Sequence, residues 1–439
     1  MSLESNINDY IAGHPARFHM PGHKGVAFCD TFLSEAAKRD ITELSFSDNL
    51  HIPSGVICDI EHELSDLYGA KRSFLLINGS TAGVIAMLLA LGREKRVLLP
   101  RNAHRSAISG CILAGHTVIP MENTGSDRIS ELIAIHAPDA VFITCPTYDG
   151  RCPDIEKIAK VCHQNSALLL IDAAHGAHFP FLPEPFGVDI SKAADIWVTS
   201  LHKTLPALTM TAVLNISARA SEYEFGAKGM LNMLQTSSPS YILMQSVEIA
   251  ISKAKNADWT HGIVRNRSFC DIVNKIDGVS AEVFGDPYRI TIKCNAYSGF
   301  ELQRRLEHEG IFVEMADFYG VVLISTPFDP DEWYERLINV IRKNACKEQA
   351  RLMKIPPCVS YASEPVDIRE FAFRKGHAVK LSDAVGRVAI EPVGAYPPGT
   401  AELLPGETVT HDIVLRLCTI KKYGGTLFGV HHGSIMCIE

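Results

Sequence analysis

The sequence predicts an α/β fold in which helices cover a mostly parallel sheet. The first observation is an alternation between residues 70 and 215, where short apolar segments bounded by turn residues are separated by helix-like stretches. The second is that these segments are apolar at nearly every position, which is typical of strands buried on both faces. The third is the length of 439 residues, enough for two or three domains. Ligands of such a fold bind at the carboxyl ends of the strands.

The elements of this first, larger domain follow from the same pattern. The predicted strands are Ser73–Ile77, Arg96–Leu99, Thr117–Ile119, Ala140–Thr144, Ala167–Ile171, Asp195–Thr199 and Thr211–Ile216. The predicted helices include Thr81–Leu91, His104–Ala114, Arg128–His136 and Ile155–Asn165.

A long helical stretch is predicted next, from about Tyr241 to Val273, and a smaller α/β pattern follows it. The elements of this smaller pattern are a strand near Tyr288–Lys293, a helix over Ser298–Glu309, strands near Ile311–Glu314 and Val321–Ser325, and a helix over Pro330–Lys343. The Pro- and Ser-rich segment Lys354–Pro365 is interpreted as a linker. We expect the tail beyond it to pack on the second domain, because it keeps apolar runs such as Ile413–Leu417.

Composition and charge narrow the class of partner. The chain has 42 Lys and Arg against 50 Asp and Glu, a net charge of −8, and it has no long basic run. Nucleic acid and anionic membranes are therefore poor partners. No apolar stretch approaches the ~20 residues of a membrane helix, and the N-terminus lacks the pattern of a signal peptide. The twelve cysteines are scattered without a Cys-x-x-Cys pair, which suits a reducing compartment. We expect a cytoplasmic enzyme.

The segment from Asn78 to Gly83 follows a predicted strand and opens a helix. Its small residues, among them Ser80 and Thr81, leave backbone N–H groups free at a helix N-terminus, which suits a phosphate. A simple capped helix start explains the segment equally well. It is neither a Walker motif nor a Gly-x-Ser-x-Gly elbow.

Asp172 comes directly after the predicted strand Ala167–Ile171. A carboxylate at that place is desolvated and needs a cation or strong donor, such as the protonated ring nitrogen of a cofactor. The alternatives are a turn aspartate that binds local backbone, or a metal site formed with His175 and His178. No Glu follows the first of these histidines as it does in a zincin helix, so the metal reading is the weaker one.

Lys203 lies just beyond another strand end, in the sequence Ser200-Leu201-His202-Lys203. Burial lowers the pKa of a lysine and makes its amine a nucleophile toward an aldehyde, whereas a surface lysine would have no such role. A phosphate loop, a strand-end Asp and a lysine, in this chain order, match the needs of pyridoxal phosphate. His104 follows the predicted strand Arg96–Leu99, where its ring could cover the pyridine face.

Several further motifs complete the pattern, and together they span nearly the whole chain. They are His19-Met20-Pro21-Gly22-His23-Lys24-Gly25, Asp40-Ile41-Thr42-Glu43-Leu44, Arg101-Asn102-Ala103-His104-Arg105-Ser106, Pro146-Thr147-Tyr148-Asp149-Gly150, Asp172 to His178, Tyr396-Pro397-Pro398-Gly399 and Pro405-Gly406-Glu407. In these motifs the chain resembles the prokaryotic Orn/Lys/Arg decarboxylase family, in its short form without the N-terminal wing domain. The resemblance implies the aspartate-aminotransferase-like fold of pyridoxal-phosphate enzymes (fold type I), with a large domain and a smaller α/β C-terminal domain.

The resemblance also implies domain limits and residue roles. Residues 1–50 would border the active site, 51–280 would form the large domain, 281–355 the small domain and 356–439 a C-terminal tail domain. Lys203 would carry the cofactor, Asp172 would pair with the pyridinium nitrogen, His104 would stack on the ring and His175 would lie near the ring hydroxyl. The phosphate would be held by Ser80, Thr81, Ser200 and His202.

The chain departs from the family pattern at Thr400-Ala401 and in the loop from Phe46 to His51. Both segments lie where a substrate side chain could be recognised, so they leave the substrate open.

The implied reaction is α-decarboxylation of a basic amino acid to an amine and carbon dioxide, of the kind used in polyamine biosynthesis. Arginine ranks first, before lysine and ornithine, because short members of the family often resemble arginine decarboxylases. The alternatives are another pyridoxal-phosphate reaction such as transamination, a non-catalytic relative, or a metal hydrolase using Asp172, His175 and His178. A homodimer or larger homo-oligomer is expected, since the family builds its sites at a two-fold interface.

Overall fold

The computed structural model describes residues 2–17, 20–21, 24–27, 31–122, 124–345, 363–396 and 399–438. The chain divides into two compact units, each assembled from three separate stretches. The first unit contains Met1–Leu91, Leu170–Phe181 and Asp189–Ala257. The second contains Gly92–Leu169, Leu182–Val188 and Asp258–Glu439.

Helices and strands alternate over most of the described chain. The helices are α1 Leu3–Ala12, α2 Ser34–Arg39, α3 Val56–Tyr68, α4 Gly79–Ala90, α5 Arg105–Ala114, α6 Ser126–His136, α7 Ile155–Gln164, α8 Glu224–Leu234, α9 Tyr241–Lys255, α10 Trp259–Val273, α11 Gly299–His308, α12 Asp331–Asn344, α13 Ile368–Ala372 and α14 His411–Lys422. The strands are β1 Arg72–Leu76, β2 Arg96–Pro100, β3 Thr117–Met121, β4 Ala140–Thr144, β5 Leu168–Asp172, β6 Ile196–Ser200, β7 Ala212–Ile216, β8 Val279–Val283, β9 Arg289–Cys294, β10 Met315–Ala316, β11 Val321–Ile324, β12 Val366–Asp367, β13 His377–Lys380, β14 Val388–Ala389, β15 Val393–Tyr396, β16 Thr400–Leu403, β17 Thr426–Phe428 and β18 Ser434–Ile438.

In the first unit the strands are ordered β1–β7–β6–β5. Strands β5 and β6 run parallel, with Asp172 opposite Val198, whereas β7 is antiparallel to both β6 and β1. Every residue of β6 and β7 is buried, as the continuous apolar pattern predicted. The carboxyl ends of β5 and β6 therefore lie side by side at one edge of the sheet.

In the second unit the order is β4–β2–β3–β12. Strand β2 is parallel to both β4 and β3, and β12 adds an antiparallel edge on β3. The α/β class predicted from the sequence is confirmed. The sheets are mixed, because β7 and β12 run antiparallel to their neighbours.

The small α/β pattern forms a four-stranded antiparallel sheet in the order β10–β11–β9–β8. One face of this sheet packs against α10, α11 and α12 through a core that includes Ile290, Ile292 and Leu302. The tail adds two three-stranded sheets, β13–β18–β14 and β16–β15–β17. The ring of Tyr423 in the tail meets Phe318 edge to face at 5.9 Å, so this part of the tail packs beside the small sheet as predicted. The start of the tail does not, because β12 pairs with β3 of the larger domain.

The helical stretch predicted from Tyr241 to Val273 consists of two helices, because α9 ends at Lys255 and the Asp258 side chain caps a new helix by accepting from His261 N. One predicted strand was wrong. The predicted strand Ile311–Glu314 is not a strand; the paired residues are Met315 and Ala316. No prediction was made for α1, α2, α3, α8 and β8, nor for the helices and strands of the tail from β12 to β18.

Most of the predicted linker Lys354–Pro365 lies outside the described residues, and the predicted domain limits stay predictions. Within the described ranges, no helix is long and apolar enough to span a membrane.

Candidate active site

Asp172 and Ser200 are the last residues of the neighbouring parallel strands β5 and β6. In β5 every residue before Asp172 is apolar, whereas in β6 the buried Thr199 precedes Ser200. Asp172 and Ser200 both lie at the carboxyl ends of their strands. This is the strand edge at which ligands bind in α/β folds.

Lys203 ends a 3₁₀ turn, Leu201–Lys203, that follows β6 directly. Its Nζ lies 3.1 Å from Nε2 of His175, a histidine that is itself only 4% exposed. This contact holds the lysine amine against the imidazole ring. The structure thus brings together two residues that lie 28 positions apart in the sequence.

His202 is half-buried, and its Nδ1 donates to the carbonyl oxygen of Thr211 at 2.9 Å. Burial lowers its pKa and the adjacent Lys203 charge adds to this, although the Thr211 carbonyl opposes the effect. The ring is therefore neutral near pH 7, and the hydrogen on Nδ1 leaves Nε2 as the free nitrogen for a ligand.

Asp172 is 4% exposed, and its Oδ1 accepts one hydrogen bond, from Ala174 N at 3.0 Å. This is the local backbone contact of a turn aspartate. Within the described part of the chain Oδ2 accepts no hydrogen bond, so one oxygen of this buried carboxylate is left for a donor.

Ser80 and Thr81 lie in the first turn of α4, whose N-cap residue Asn78 forms no capping hydrogen bond. Gly79 precedes them with φ +75°, and an added Cβ there would meet nothing within 4 Å. The N–H groups of this uncapped first turn are suited to bind an anion.

The loop that precedes β7 connects the start of α4 to the turn that carries Lys203. Gly79 N donates to Met210 O at 2.8 Å, and the next residue, Thr211, accepts from both Leu201 N and the His202 ring. Met210 itself has φ 81°, a left-handed conformation that costs a non-glycine residue about 1 kcal/mol or more. The helix start and the Ser-x-His-Lys segment are thereby held by two consecutive carbonyl groups.

Pyridoxal phosphate fits these residues. The hydroxyl oxygens of Ser200 and Thr204 are buried and have no hydrogen-bond partner in the described chain. Burying a hydroxyl without a partner costs about 1–3 kcal/mol, which an anion rich in oxygen atoms would recover. The donor set comprises hydroxyls, helix N–H groups, a spare carboxylate oxygen and a lysine, and these match the phosphate, pyridinium nitrogen and aldehyde of that cofactor.

His104 lies in the second unit, where it is the N-cap residue of α5 and accepts from Ser106 N. Its ring borders Gly399, since an added Cβ on that glycine would lie 3.5 Å from His104 Cδ2. The predicted stacking role is not tested by these contacts and stays a prediction.

Two of the sequence motifs in the second unit, those that contain Arg101 and Glu407, are joined by a salt bridge. Arg101 donates both terminal nitrogens to the two carboxylate oxygens of Glu407, and Glu407 Oε2 also accepts from Leu404 N at 2.8 Å. A planar guanidinium suits such a bidentate pair better than an ammonium does. The segment carrying His104 is thus tied to the Pro405-Gly406-Glu407 motif, 306 residues away.

The loop from Phe46 to His51 has a structural role in the first unit. The Asp48 carboxylate accepts from the N–H groups of Asn49, Ser54, Gly55 and Ile57 and so caps the start of α3. Its oxygens are therefore occupied by backbone donors.

Several residues of the quoted motifs lie outside the part of the chain that the structure describes. They are His19, Gly22, His23, Pro397 and Pro398. No group of three or more side chains suited to a metal ion occurs in the described ranges, and His178 is fully buried beside Phe179. Sequence analysis missed Thr204 and Met210, although both adjoin the quoted lysine motif or its loop.

The fold is that of the fold type I pyridoxal-phosphate enzymes, as three solved structures illustrate. The constitutive lysine decarboxylase of Escherichia coli superimposes with a TM-score of 0.78 over 100% of this chain and 82% of its own, at 17% identity. Lysine decarboxylase A from Pseudomonas aeruginosa superimposes with a TM-score of 0.81 over 100% of this chain and 80% of its own, at 16% identity. The serine palmitoyltransferase of Sphingomonas wittichii superimposes with a TM-score of 0.56 over 68% of this chain and 80% of its own, at 16% identity.

The family models identify the chain more closely. "Orn/Lys/Arg decarboxylase, major domain" matches residues 2–283, and "Orn/Lys/Arg decarboxylase, C-terminal domain" matches residues 350–428. The chain therefore belongs to the Orn/Lys/Arg decarboxylase family and is an amino-acid decarboxylase of the pyridoxal-phosphate-dependent class. A relative from Bacillus subtilis named "Uncharacterized protein YaaO" is 33% identical over 91% of this chain and 90% of its own. An arginine decarboxylase of the same organism is 28% identical over 93% of this chain and 91% of its own.

Proposed function

We propose that this protein decarboxylates a basic amino acid, with arginine first, and that it uses Lys203 as the attachment point for pyridoxal phosphate. The observation that carries the proposal is the 3.1 Å contact between Lys203 Nζ and His175 Nε2, beside the strand ends that carry Asp172 and Ser200. The products would be agmatine and carbon dioxide, or cadaverine or putrescine from lysine or ornithine.

The order of substrates rests on how the relatives align. The arginine decarboxylases of Bacillus subtilis and Halalkalibacterium halodurans each align over 93% of this chain, at 28% and 29% identity. The lysine decarboxylase LdcA of Pseudomonas aeruginosa aligns over 53% of it, at 24% identity. Similarity along the whole chain, including the tail, favours arginine.

The residues of the site would have different roles, set by their positions. Ser80, Thr81, Ser200 and His202 would bind the phosphate, and His104 would lie over the ring. Asp172 would hold a proton on the ring nitrogen, because a buried carboxylate with a spare oxygen stabilises a cation beside it. When bound, the cofactor supplies an electron sink for the bond that breaks between Cα and the carboxylate.

A proton must then reach Cα. Lys203 Nζ is a candidate donor, and His175 Nε2 at 3.1 Å can return a proton to it. His175 would also lie near the ring hydroxyl. The assembly proposed is a homodimer in the cytoplasm, with no nucleic-acid or membrane partner.

The first experiment is a visible spectrum of the purified protein before and after borohydride, with arginine, lysine and ornithine added in turn. We expect a yellow band that borohydride removes, with a covalent label on Lys203, and carbon dioxide release with arginine. A colourless protein that pyridoxal phosphate cannot reconstitute would contradict the proposal. Release of an oxo acid instead of carbon dioxide would favour transamination.

Lys203→Ala is expected to abolish both the band and turnover, because the variant lacks the amine that would form the covalent attachment. Lys192→Ala is the matched control, since Lys192 is exposed and pairs only with Asp189 in the described chain. Wild-type turnover in the Lys203 variant would overturn the assignment.

A further inference from the structure

A cavity of about 240 Å³ lies in the second unit on the small antiparallel sheet, beside the loop that carries Asp149 and Arg151. Alternate residues of β9 point to opposite faces. Ile290 and Ile292 enter the helix-covered core, whereas Thr291 and Lys293 line the cavity. The cavity thus occupies the sheet face that the helices leave uncovered.

Thr291 is the buried polar group of this cavity. It is 8% exposed, and its hydroxyl oxygen has no hydrogen-bond partner within the described ranges. Such a group is costly unless something in the cavity pairs with it.

Arg151 provides an oriented positive charge. Its Nε donates to Asp149 Oδ2 at 2.9 Å, and its guanidinium carbon lies 3.8 Å from the centre of the Phe284 ring. The two contacts fix the plane of the guanidinium. Its terminal nitrogens donate to no other residue that the structure describes, so they are available to a carboxylate.

Asp317 provides a negative charge in the same cavity. Its Oδ1 accepts from Tyr319 N at 2.7 Å and Gly320 N at 2.9 Å, which leaves Oδ2 without a hydrogen bond in the described part of the chain. Lys293 is already paired with Glu282 at 3.1 Å. Arg151, Asp317 and Thr291 therefore each offer the cavity an atom that no described residue binds.

We propose that this cavity binds a small zwitterion of the α-amino acid class. The ligand's carboxylate would pair with the Arg151 terminal nitrogens, its ammonium with Asp317 Oδ2, and a polar atom with the Thr291 hydroxyl. A ligand with one charge only would leave Arg151 or Asp317 unmatched. The site is distinct in its residues from those assigned to the decarboxylation.

The test is isothermal titration of the cofactor-loaded protein with N,N-dimethylglycine. This probe is a zwitterion near pH 7, and its tertiary amine cannot condense with an aldehyde. We expect saturable binding that Thr291→Val weakens about five-fold, the value of one neutral hydrogen bond. Asp317→Asn keeps an oxygen for the two backbone donors and is expected to weaken binding about ten-fold through the lost charge.

Three controls separate this site from others. Thr426→Val, on an exposed strand position, is expected to leave binding unchanged, and acetate is expected to bind at least ten-fold more weakly than the zwitterion. Lys203→Ala should also leave binding unchanged, so the proposal can fail independently of the decarboxylase assignment. Absence of binding, equal binding of acetate, loss of binding in the Lys203 variant, or wild-type affinity in both cavity variants would overturn it.

Discussion

Asp172 shows how a single residue serves both the fold and the site. One of its oxygens holds the turn after β5 by accepting from Ala174 N, and the other is left for a donor. A turn aspartate and a cofactor partner were separate interpretations of the sequence, and the geometry permits both at once.

Asp172→Asn tests the second role. The amide keeps an oxygen for Ala174 N, so the fold should be unaffected, but it cannot stabilise a proton on a ring nitrogen. We expect turnover to fall about 100-fold, measured as carbon dioxide release, while the visible band that depends on Lys203 remains. Unchanged turnover would mean that another group faces the ring nitrogen.

Helix α4 is an element whose position the site depends on. An added Cβ at Gly83 would lie 2.6 Å from Leu76 Cδ1 and 2.9 Å from Val198 Cγ1, so only glycine lets the helix rest on β1 and β6. This contact places the uncapped first turn of α4 at the ends of those strands.

Gly83→Ala is expected to destabilise the protein by about 1–3 kcal/mol through overpacking and to weaken cofactor binding, because the helix start must shift. Denaturant unfolding and titration with pyridoxal phosphate measure the two effects. Gly229→Ala in α8 is the matched control, since nothing lies within 4 Å of its Cβ. There alanine should stabilise the helix by up to about 1 kcal/mol. Equal stabilities of the two variants would contradict the packing argument.

Helix α3 and strand β1 are joined by a buried carboxylate. Glu61 is fully buried, binds Arg72 at 2.7 Å and accepts from Leu75 N at 3.1 Å. Burial raises its pKa to about 7, which outweighs the lowering effect of the Arg72 and Lys228 charges.

A raised carboxyl pKa means that the folded state binds this proton more tightly than the unfolded state does. The contribution of Glu61 to stability is therefore largest below about pH 4.5 and is lost as pH rises toward 7, by on the order of 3 kcal/mol. Glu61→Gln removes this dependence. Relative to that variant, the wild type should lose stability between pH 5 and 7, measured by urea unfolding. Glu63→Gln on the same helix serves as control, and parallel curves for wild type and Glu61→Gln would show that the carboxyl pKa is not raised.

At the scale of the whole molecule, the single chain leaves large apolar side chains in contact with solvent. Phe225 and Met233 on α8 are 91% and 69% exposed. Apolar exposure of this kind is typical of surfaces that are covered in an assembly.

We predict a homodimer, which sedimentation equilibrium would report as twice the mass of the chain at micromolar concentration. Two-fold dimers are the commonest oligomers, and the family resemblance implies one. A fully active monomer at that concentration would contradict the prediction.

Much of the fold and of the site could be predicted from the sequence, because the responsible signals are local. Largely apolar runs identified the strands of the large domain, because strands buried on both faces carry few polar residues. The polar residues that follow two of these runs, Asp172 after one and Ser200 and Lys203 after the other, therefore indicated the candidate site. The break after α9 was missed because its only signal is the cap at Asp258, within a pattern that otherwise stays helical.

Relations between residues distant in the chain could be read only from the folded molecule. The pairing of Arg101 with Glu407, the contact of Lys203 with His175 and the raised pKa of Glu61 depend on how elements pack, because packing sets both distance and desolvation. The local pattern of residues was enough to show which chemical groups follow the strands. Which of these groups touch follows from the fold, because contact and burial arise only once the elements are assembled.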